Sequence, residues 1–311
     1  MVRATRFLRG MVLAATVAVA SGSAPAAAGN PGEAGALFLR FGIGAREAAM
    51  GETGVASTNG PSGAYWNPAR VAFEELQTAL VLQHHRYLGL FDHEAAGLVH
   101  RTGFGQLGLV FSGLYSDDIT RYSAEGVGVG EGTFSPYDVS VGVSFSRQLT
   151  TDFAAGVMAK LVYQRIDLYS DSGLAFDLFL AHRAMIDGLY FGASATNLGG
   201  QMDMNNGPYD LPRTLRLGLA YTPPKGFASR LTLASDVVLP NDSNEKLHLG
   251  AELRLIPELA LRAGTRVGYD SKGLTAGAGF RYGVIGVSYA YDEMTTEGFD
   301  DGHKFSLELN Y

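Results

Sequence analysis

The sequence ends in the alternating stretch Lys304-Phe305-Ser306-Leu307-Glu308-Leu309-Asn310-Tyr311. Successive side chains of a β-strand point to opposite faces, so the four apolar residues share one face and the four polar residues share the other. An outer-membrane β-barrel places aromatic residues where its wall meets the lipid headgroups, and an aromatic final residue suits that position. We therefore predict that 302–311 is the closing strand of such a barrel. Its lipid-facing residues, which we also expect to form the signal for membrane insertion, are Phe305, Leu307, Leu309 and Tyr311.

Residues 1–28 have the pattern of a Sec-type secretory signal peptide. Arg3, Arg6 and Arg9 give a basic start, 11–20 is an apolar run, and three alanines that end at Ala28 form a small-residue cleavage site. An apolar run of about ten residues is too short to cross a bilayer as a helix. We expect cleavage after Ala28 and export to the outer membrane of a Gram-negative-type cell; an uncleaved anchor is the alternative.

The composition excludes several classes of function. The chain has 24 Lys and Arg against 31 Asp and Glu, a formal net charge of −7, and so acidic a chain is a poor partner for nucleic acid. It contains no cysteine, which excludes disulfides, thiolate metal sites, thiol catalysis and acylation as a lipoprotein. Its 41 glycines and 15 tyrosines favour closely packed strands with aromatic edges over a helical fold.

From about residue 78 onward, the chain divides into alternating segments separated by turn residues, and these predict strands. There are fourteen, an even number, as expected for a bacterial outer-membrane barrel. The longest connections, 116–136, 197–210 and 294–301, all follow odd-numbered segments, as extracellular loops should. The predicted strands are 78–87, 93–101, 105–115, 137–148, 153–169, 172–183, 189–198, 211–222, 229–239, 245–256, 259–269, 273–282, 284–293 and 302–311.

The two faces of these segments indicate a barrel with its apolar face outside. In 245–256, for example, Leu247 and Leu249 alternate with Lys246 and His248. A soluble sandwich would show the same alternation, but the signal peptide and the number of segments favour lipid outside and a polar lumen. The charges expected in the lumen have mixed signs, which predicts a salt-bridged interior rather than a selectivity ring of one sign. They are Lys160, Asp177, Arg216, Glu252, Arg254, Arg262, Arg266, Arg281 and Glu308.

The segment Gly35–Phe73 lacks strand alternation and is rich in small residues. Arg46–Gly51 is predicted to form a short helix that Gly51 ends, and Pro68 is predicted to make a rigid turn after an extended Asn67. Such a segment cannot cross lipid with its backbone groups unsatisfied, but it can fold into the lumen as a plug; a periplasmic tail is the alternative. The residues that we expect to anchor it are Arg40, Arg46, Trp66, Asn67 and Pro68.

Two stretches of this segment carry a family resemblance. Phe38–Gly51, with its Arg-Phe-Gly-Ile-Gly-Ala-Arg core, and Tyr65-Trp66-Asn67-Pro68-Ala69 resemble the opening of the PorV/PorQ family, relatives of the FadL long-chain fatty-acid transporters. The Asn-Pro-Ala element is similar to one in the hatch segments of that superfamily. The resemblance implies a fourteen-stranded outer-membrane barrel with an N-terminal hatch.

The predicted fold is therefore all-β: a transmembrane antiparallel β-barrel of about 14 strands over 78–311, with a signal peptide at 1–28 and an N-terminal hatch at 29–77 that plugs the lumen. Outer-membrane lipid and the barrel-assembly machinery are expected partners.

The resemblance also implies two alternative functions. Some PorV-like barrels act in type IX secretion, where they receive cargo proteins after translocation and pass them to a surface attachment complex. The first expectation is thus a PorV/PorQ-type protein that binds secretion-system or cargo proteins through 116–136, 197–210 and 294–301. The alternative is FadL-like transport of hydrophobic small molecules, such as long-chain fatty acids, across the outer membrane through a gap in the wall.

Motifs for chemistry are weak. His84, His85, His93 and His100 fall close together, but none of their spacings matches a zinc-hydrolase motif, so we expect them in the aromatic belt or the lumen. The sequence shows no nucleophile elbow. Acidic residues near 167–171 and 292–301 do not follow a calcium-loop spacing, which leaves calcium binding open. We expect no enzyme activity, no catalytic residue, no cofactor and no metal.

Overall fold

The computed structural model describes residues 34–122, 130–205 and 207–311. The predicted signal peptide lies outside these residues and remains a prediction. In chain order the strands are β1 (Thr78–Tyr87), β2 (Phe91–Thr102), β3 (Gly105–Ser116), β4 (Ile119–Tyr122), β5 (Gly130–Phe134), β6 (Tyr137–Gln148), β7 (Phe153–Ile166), β8 (Tyr169–Arg183), β9 (Leu189–Gly199), β10 (Met202–Asp203), β11 (Pro208–Tyr209), β12 (Thr214–Tyr221), β13 (Leu231–Pro240), β14 (Lys246–Ile256), β15 (Leu259–Val267), β16 (Lys272–Tyr282), β17 (Ile285–Met294) and β18 (Gly302–Asn310).

Fourteen of these strands form one closed antiparallel barrel, as predicted. The remaining four form two small two-stranded sheets, β4 with β5 and β10 with β11, inside connections that we predicted as loops. The bounds of the barrel strands differ from the predicted ones by at most three residues. One of the largest differences is in the hairpin between β7 and β8, which turns at Asp167, where φ is +53°, rather than after residue 169.

The first and last barrel strands close the wall. β1 pairs with β18 in the register that places Leu82 opposite Leu307. One step further, Tyr311 N donates to Thr78 O at 2.8 Å, and Thr78 N donates to Tyr311 O at 3.2 Å. The prediction that 302–311 closes the barrel against 78–87 is therefore confirmed, with the strand itself ending at Asn310.

The outer face of the barrel is apolar. On β14, Leu247 and Leu249 are exposed while His248 between them is buried, and β8 repeats the pattern with a row of exposed apolar side chains. A soluble sheet would bury such residues, so a continuous belt of them identifies the wall as transmembrane. The exposed row of β8 consists of Leu174, Phe176, Leu178 and Leu180.

Aromatic rings mark one border of this belt. Tyr115, Tyr137 and Tyr163 lie side by side on β3, β6 and β7, with ring centroids 6.4 and 5.9 Å apart. Rows of tyrosine are typical of the level where a barrel meets lipid headgroups. The described parts of the longer connections lie at this end of the barrel, which is the extracellular end in bacterial outer-membrane barrels. These parts are 117–122, 130–136, 200–205, 207–213 and 295–301.

Residues 34–77 lie against the inward-facing side of the wall. Gly44 N donates to Gln83 Oε1 of β1 at 2.6 Å, and Ala45 N donates to Ser306 Oγ of β18 at 3.2 Å. On a more distant part of the wall, Asn67 Nδ2 donates to Leu180 O of β8 at 3.0 Å. Because these strands surround the segment, it lies inside the barrel.

The internal segment is built from short helical turns. They are a 3₁₀ helix at Leu37–Arg40 and α-helices at Ala45–Ala49, Gly63–Trp66 and Pro68–Val71. The helix predicted at 46–51 thus begins and ends slightly earlier. Asn67 is extended, as predicted, but Pro68 starts a helix instead of a simple turn, because Asn67 Oδ1 accepts from Arg70 N at 3.3 Å and caps it. Among the described residues, no helix is long and apolar enough to cross a membrane.

Glycines on the inner wall allow the backbone of this segment to approach the wall closely. A Cβ atom added at Gly192 would overlap the backbone of Val55, and one added at Gly264 would overlap Gly51 N. The close approach of two backbones therefore requires glycine at these wall positions.

Candidate functional site

The internal segment is fixed to the wall at both of its ends. Near its start, Arg40 Nη2 lies 2.6 Å from Asp242 Oδ1, in the connection between β13 and β14. Near its end, Pro68 O accepts from Ser146 Oγ of β6 at 2.9 Å. Within the segment, Asn67 Nδ2 also donates a hydrogen bond to Val55 O at 2.7 Å, in addition to its hydrogen bond to β8.

Trp66 holds the segment together internally. Its indole Nε1 donates to Ile43 O at 2.7 Å, and the guanidinium of Arg216 lies 5.1 Å from the centroid of its ring. Its exposed fraction is only a few per cent, so the hydrogen bond satisfies a buried donor. The five residues predicted to anchor the segment thus contact either the wall or the segment itself, and their anchoring role is a proposal.

Arg46 is the centre of a buried ion cluster. Its Nε lies 2.9 Å from Glu252 Oε2 on β14, and the same oxygen lies 2.8 Å from Arg262 Nε on β15. Arg46 Nη1 also lies 3.2 Å from Glu47 Oε1, which accepts from Ser62 Oγ at 3.0 Å. The cluster ties the helix Ala45–Ala49 to two strands.

Burial and neighbouring charges act in opposite directions on the pKa values of Glu47 and Arg46. Burial raises the pKa of Glu47, and the positive charge of Arg46 only partly opposes that shift. Burial alone would lower the pKa of Arg46, but Glu252 and Glu47 raise it above its usual value. Arg46 is therefore a permanent cation in the lumen.

The other predicted lumen charges also face inward. Lys160 Nζ lies 2.9 Å from Asp177 Oδ2, Arg281 Nη2 lies 2.6 Å from Glu308 Oε2, and Arg254 lines a cavity at the periplasmic end. Arg266 binds Asp292 and lies 3.4 Å from Glu52 Oε1.

Sequence reasoning missed several of the acids that partner these groups. They are Glu52, Asp236, Asp242 and Asp292, of which Asp236 Oδ2 accepts from Gly54 N at 2.9 Å and Val55 N at 3.1 Å. Asp236 could have been found, because strand alternation places it on the same face of β13 as the inward residues.

Two cavities lie above and below the internal segment. The periplasmic cavity, of about 230 Å³, is lined by Arg46, Glu252, Arg254, Arg262, Arg281 and Glu308 among others, so charges of both signs balance there. The extracellular vestibule has a volume of about 220 Å³. It is lined by Leu37, Arg40, Phe41, Glu52, Thr214, Arg216, Val238, Pro240, Ser243, Lys246, Tyr269 and Lys272.

The vestibule carries an excess of positive charge. Of the described residues that line it, four are cationic and one, Glu52, is acidic. Arg40 is paired with Asp242, but Arg216 Nη1 contacts the main-chain oxygen of Glu52 at 3.2 Å, and Lys246 Nζ contacts a main-chain oxygen and lies 5.1 Å from the centroid of the Tyr269 ring. Among the described residues, neither Arg216 nor Lys246 forms a direct ion pair with a carboxylate.

Apolar side chains share this space with the cations. Leu37 and Phe41 come from the internal segment, and Val238 and Pro240 come from the end of β13. A cavity lined by both cations and apolar side chains suits an amphiphile with an anionic head.

The four neighbouring histidines divide between the two faces of the wall. His85 and His93 are buried inside, and His93 Nε2 lies 2.8 Å from Ser112 Oγ. His84 and His100 face outward, where His84 Nδ1 lies 2.6 Å from Glu94 Oε1. In the described part of the chain, no group of three or more His, Cys, Asp or Glu side chains could hold a metal ion.

The predicted contact loops differ in shape. The connection 200–213 folds back over the internal segment: Gly35 N donates to Asp210 O at 3.1 Å, and Met202 and Leu211 are buried against Phe38. The sheet of β4 and β5 and the neighbouring β7–β8 turn instead present exposed apolar side chains, with Tyr122 65% and Leu168 80% exposed.

No protein-family model matches the sequence, and no curated protein matches it. Solved structures of transport barrels share its fold. The toluene transporter TbuX of Ralstonia pickettii superposes with a TM-score of 0.63 at 14% identity, over 87% of this chain and 98% of that one. The toluene transporter TodX of Pseudomonas putida gives 0.58 at 14% identity, over 86% and 96% of the two chains.

A FadL homologue of Pseudomonas aeruginosa gives a TM-score of 0.56 at 12% identity, over 86% of this chain and 98% of that one. At these identities the likeness shows the fold alone, that of a closed antiparallel outer-membrane barrel. The narrower resemblance to the PorV/PorQ family remains a prediction.

Proposed function

We propose that this chain resides in the outer membrane and takes up hydrophobic small molecules, with long-chain fatty acids or similar amphiphiles as substrates. The extracellular vestibule is the observation that carries the proposal. It sets the cations Arg216 and Lys246 beside the apolar side chains of Leu37 and Phe41, which matches an acidic head joined to an apolar tail. The fold shared with solved hydrocarbon transporters supports transport over secretion.

In this proposal, residues 29–77 are a hatch. Arg46 lines the periplasmic cavity and Glu52 lines the extracellular vestibule, so the short stretch 46–52 separates the two spaces. A substrate that enters the vestibule passes to the periplasm when this stretch moves. The buried ion cluster at Arg46 keeps the hatch closed in the absence of substrate.

Uptake of isotope-labelled dodecanoate into a Gram-negative host that lacks its own fatty-acid uptake protein tests the transport proposal. Cells that produce this chain should accumulate the label, and the double variant Arg216→Gln, Lys246→Gln should lose most of that uptake. Lys225→Gln, on an exposed periplasmic turn, is the matched control and should transport normally. Uptake no higher than in cells without the protein would refute transport of this substrate class.

Removal of residues 30–73 tests the hatch. Channels formed by the shortened chain in planar bilayers should conduct far more current than the full chain, because the lumen loses its internal segment. Equal conductance of the two forms would remove the hatch from the proposal.

A second candidate, the PorV/PorQ-type role in type IX-like secretion or surface assembly, is favoured by one observation. The exposed apolar side chains of Ile119, Tyr122 and Leu168 at the loop end suit contact with another protein. A photo-crosslinking residue at position 168 should then capture a secretion component or a cargo that carries the type IX C-terminal signal. A genome that encodes neither type IX machinery nor such cargo would exclude this role.

A further inference from the structure

Glu52 occupies an unusual position in the hatch. It follows Gly51 in a tight turn, and both residues have positive φ angles, +68° at Gly51 and +60° at Glu52. A glutamate rarely adopts this conformation, so the surrounding contacts must hold it there. Gly51 N donates to Thr275 Oγ1 at 2.9 Å, which presses the turn onto the wall and directs residue 52 into the vestibule.

The carboxylate of Glu52 is held by loose contacts between charges. Its Oε1 lies 3.4 Å from Arg266 Nη1 and 3.8 Å from Lys272 Nζ. The carboxylate of Glu252, by comparison, makes contacts of 2.8 and 2.9 Å with its two arginines. Longer contacts are more easily exchanged for contacts with another anion.

Glu52 is also ionised under ordinary conditions. Burial alone would raise its pKa, but Lys272 and Arg266 hold the pKa well below its usual range. The group in the vestibule is therefore a carboxylate anion surrounded by cations, in a cavity that has room for a second anion.

We propose that Glu52 is a built-in substitute for the acidic head of the substrate: in the empty protein it neutralises Lys272, which lines the vestibule, and the carboxylate of an incoming amphiphile takes its place. This inference rests on the proposed uptake function and adds the regulation of the same site. Displacement of the side chain removes two of the contacts that hold the turn at 51–52, those of the Glu52 carboxylate with Arg266 and Lys272. Because this turn belongs to the stretch between the two cavities, substrate binding is coupled to movement of the hatch.

The proposal also specifies the substrate. A neutral hydrocarbon has no charge with which to compete for Lys272, so it leaves Glu52 in place and the hatch closed. A carboxylate with an apolar tail can pair its head with the cations and pack its tail against the apolar lining of the vestibule. The site should therefore discriminate between decanoate and decanol, which share a tail and differ in the head.

Isothermal titration of the purified full-length protein in a non-ionic detergent, at low ionic strength, tests this competition. Glu52→Gln keeps the shape and removes the charge, so it should bind decanoate about tenfold more tightly than the wild type and leave the affinity for decanol unchanged. Lys272→Gln should weaken decanoate binding. Glu258→Gln, on a periplasmic turn, removes the same charge elsewhere and should behave like the wild type.

The outcomes separate this inference from the proposed function. If the wild type binds decanoate and Glu52→Gln binds it no better, the substitute role is wrong and uptake stands. If neither protein binds decanoate, both ideas are wrong. Hydrogen exchange at residues 50–55 gives a second readout: decanoate should accelerate it in the wild type, and unchanged exchange with bound decanoate would refute the coupling to the hatch.

Discussion

At the scale of single residues, Arg46 connects the barrel wall to two other residues of the internal segment. It contacts Glu252, Glu47 and the main-chain oxygen of Ser57. A buried ion pair adds little net stability relative to an apolar pair, but loss of one partner leaves a charge without compensation. The main effect of removing Arg46 would therefore be that the buried carboxylates of Glu252 and Glu47 lose a compensating positive charge.

Arg46→Met should destabilise the protein by about 3–5 kcal/mol, because Glu252 loses one of its two cations and Glu47 loses its only arginine contact described above. Urea unfolding in phospholipid vesicles measures the change. Arg121→Met is the control: its partner Asp167 is partly exposed, and a loss below about 1 kcal/mol is expected there. Equal losses in the two variants would contradict the central position of Arg46.

Glu47 should make stability depend on pH. Its pKa is raised in the folded state, so its contribution to stability is full below the ordinary glutamate pKa of about 4.3 and is lost as the pH rises through the folded-state value. Glu47→Gln does not titrate, so the stability of the wild type relative to this variant should fall as the pH rises above about 4.3.

Unfolding free energies of both proteins across this range provide the test. Glu297→Gln, at an exposed loop position, should follow the wild type at every pH. If the free energies of unfolding of Glu47→Gln and the wild type change with pH in parallel, the burial of ionised Glu47 does not destabilise the folded protein.

At the scale of elements, the strands and the short helix at Ala45–Ala49 could be predicted from the sequence, and the other short helices could not. Alternation is a local property, so β18 and its partner β1 can be recognised from their own residues, within the usual error at the ends. Helices of four or five residues such as Gly63–Trp66 and Pro68–Val71 are too short to be stable alone, and they form because the wall surrounds them.

The candidate site was predicted less completely for a related reason. The vestibule brings together Leu37, Arg216 and Lys272, which are far apart in the sequence and meet only after the barrel has closed. The sequence predicted that Arg216 faces the lumen, since strand alternation fixes its side. It did not indicate that Glu52 would face the same space, because a tight turn has no periodicity.

The inner-wall glycines give a prediction for the fit between hatch and barrel. Gly264→Ala should displace the turn at Gly51, because the added methyl group overlaps Gly51 N and Met50 C, and the conductance of the channel should rise. Single-channel recording in planar bilayers measures it. Gly103→Ala, with no atom within 4 Å of the added carbon, should conduct like the wild type. If Gly264→Ala also does so, the hatch does not depend on this contact.

At the scale of the whole molecule, the apolar belt determines where the protein can fold. Leu307, in the middle of β18 and 39% exposed, faces lipid, so Leu307→Lys should cost about 2–4 kcal/mol in vesicles and reduce the fraction that migrates as folded barrel on unheated gels. Leu168→Lys, on a turn outside the belt, should assemble normally. Normal assembly of Leu307→Lys would place this face away from lipid.

The architecture tolerates wide sequence change, since barrels at 12–14% identity share it over most of their length. The wall requires only alternating apolar and polar residues, glycines on its inner face and an apolar belt towards lipid. Many different sequences meet these requirements. The vestibule has narrower requirements, because four cations must converge on one space. We therefore expect the residues that determine the substrate of this chain to lie in the vestibule.

The bonds between the hatch and β18 set the order of assembly. Lys304 Nζ donates to Gly42 O at 3.0 Å and Ala45 N donates to Ser306 Oγ at 3.2 Å, pairs that are 262 and 261 residues apart in the chain. The internal segment can therefore complete these contacts only after the 261 residues that follow Ala45, up to and including Ser306, have been synthesised. Closure of the wall by β18 and fixation of the segment inside it are thus late steps that depend on the same strand.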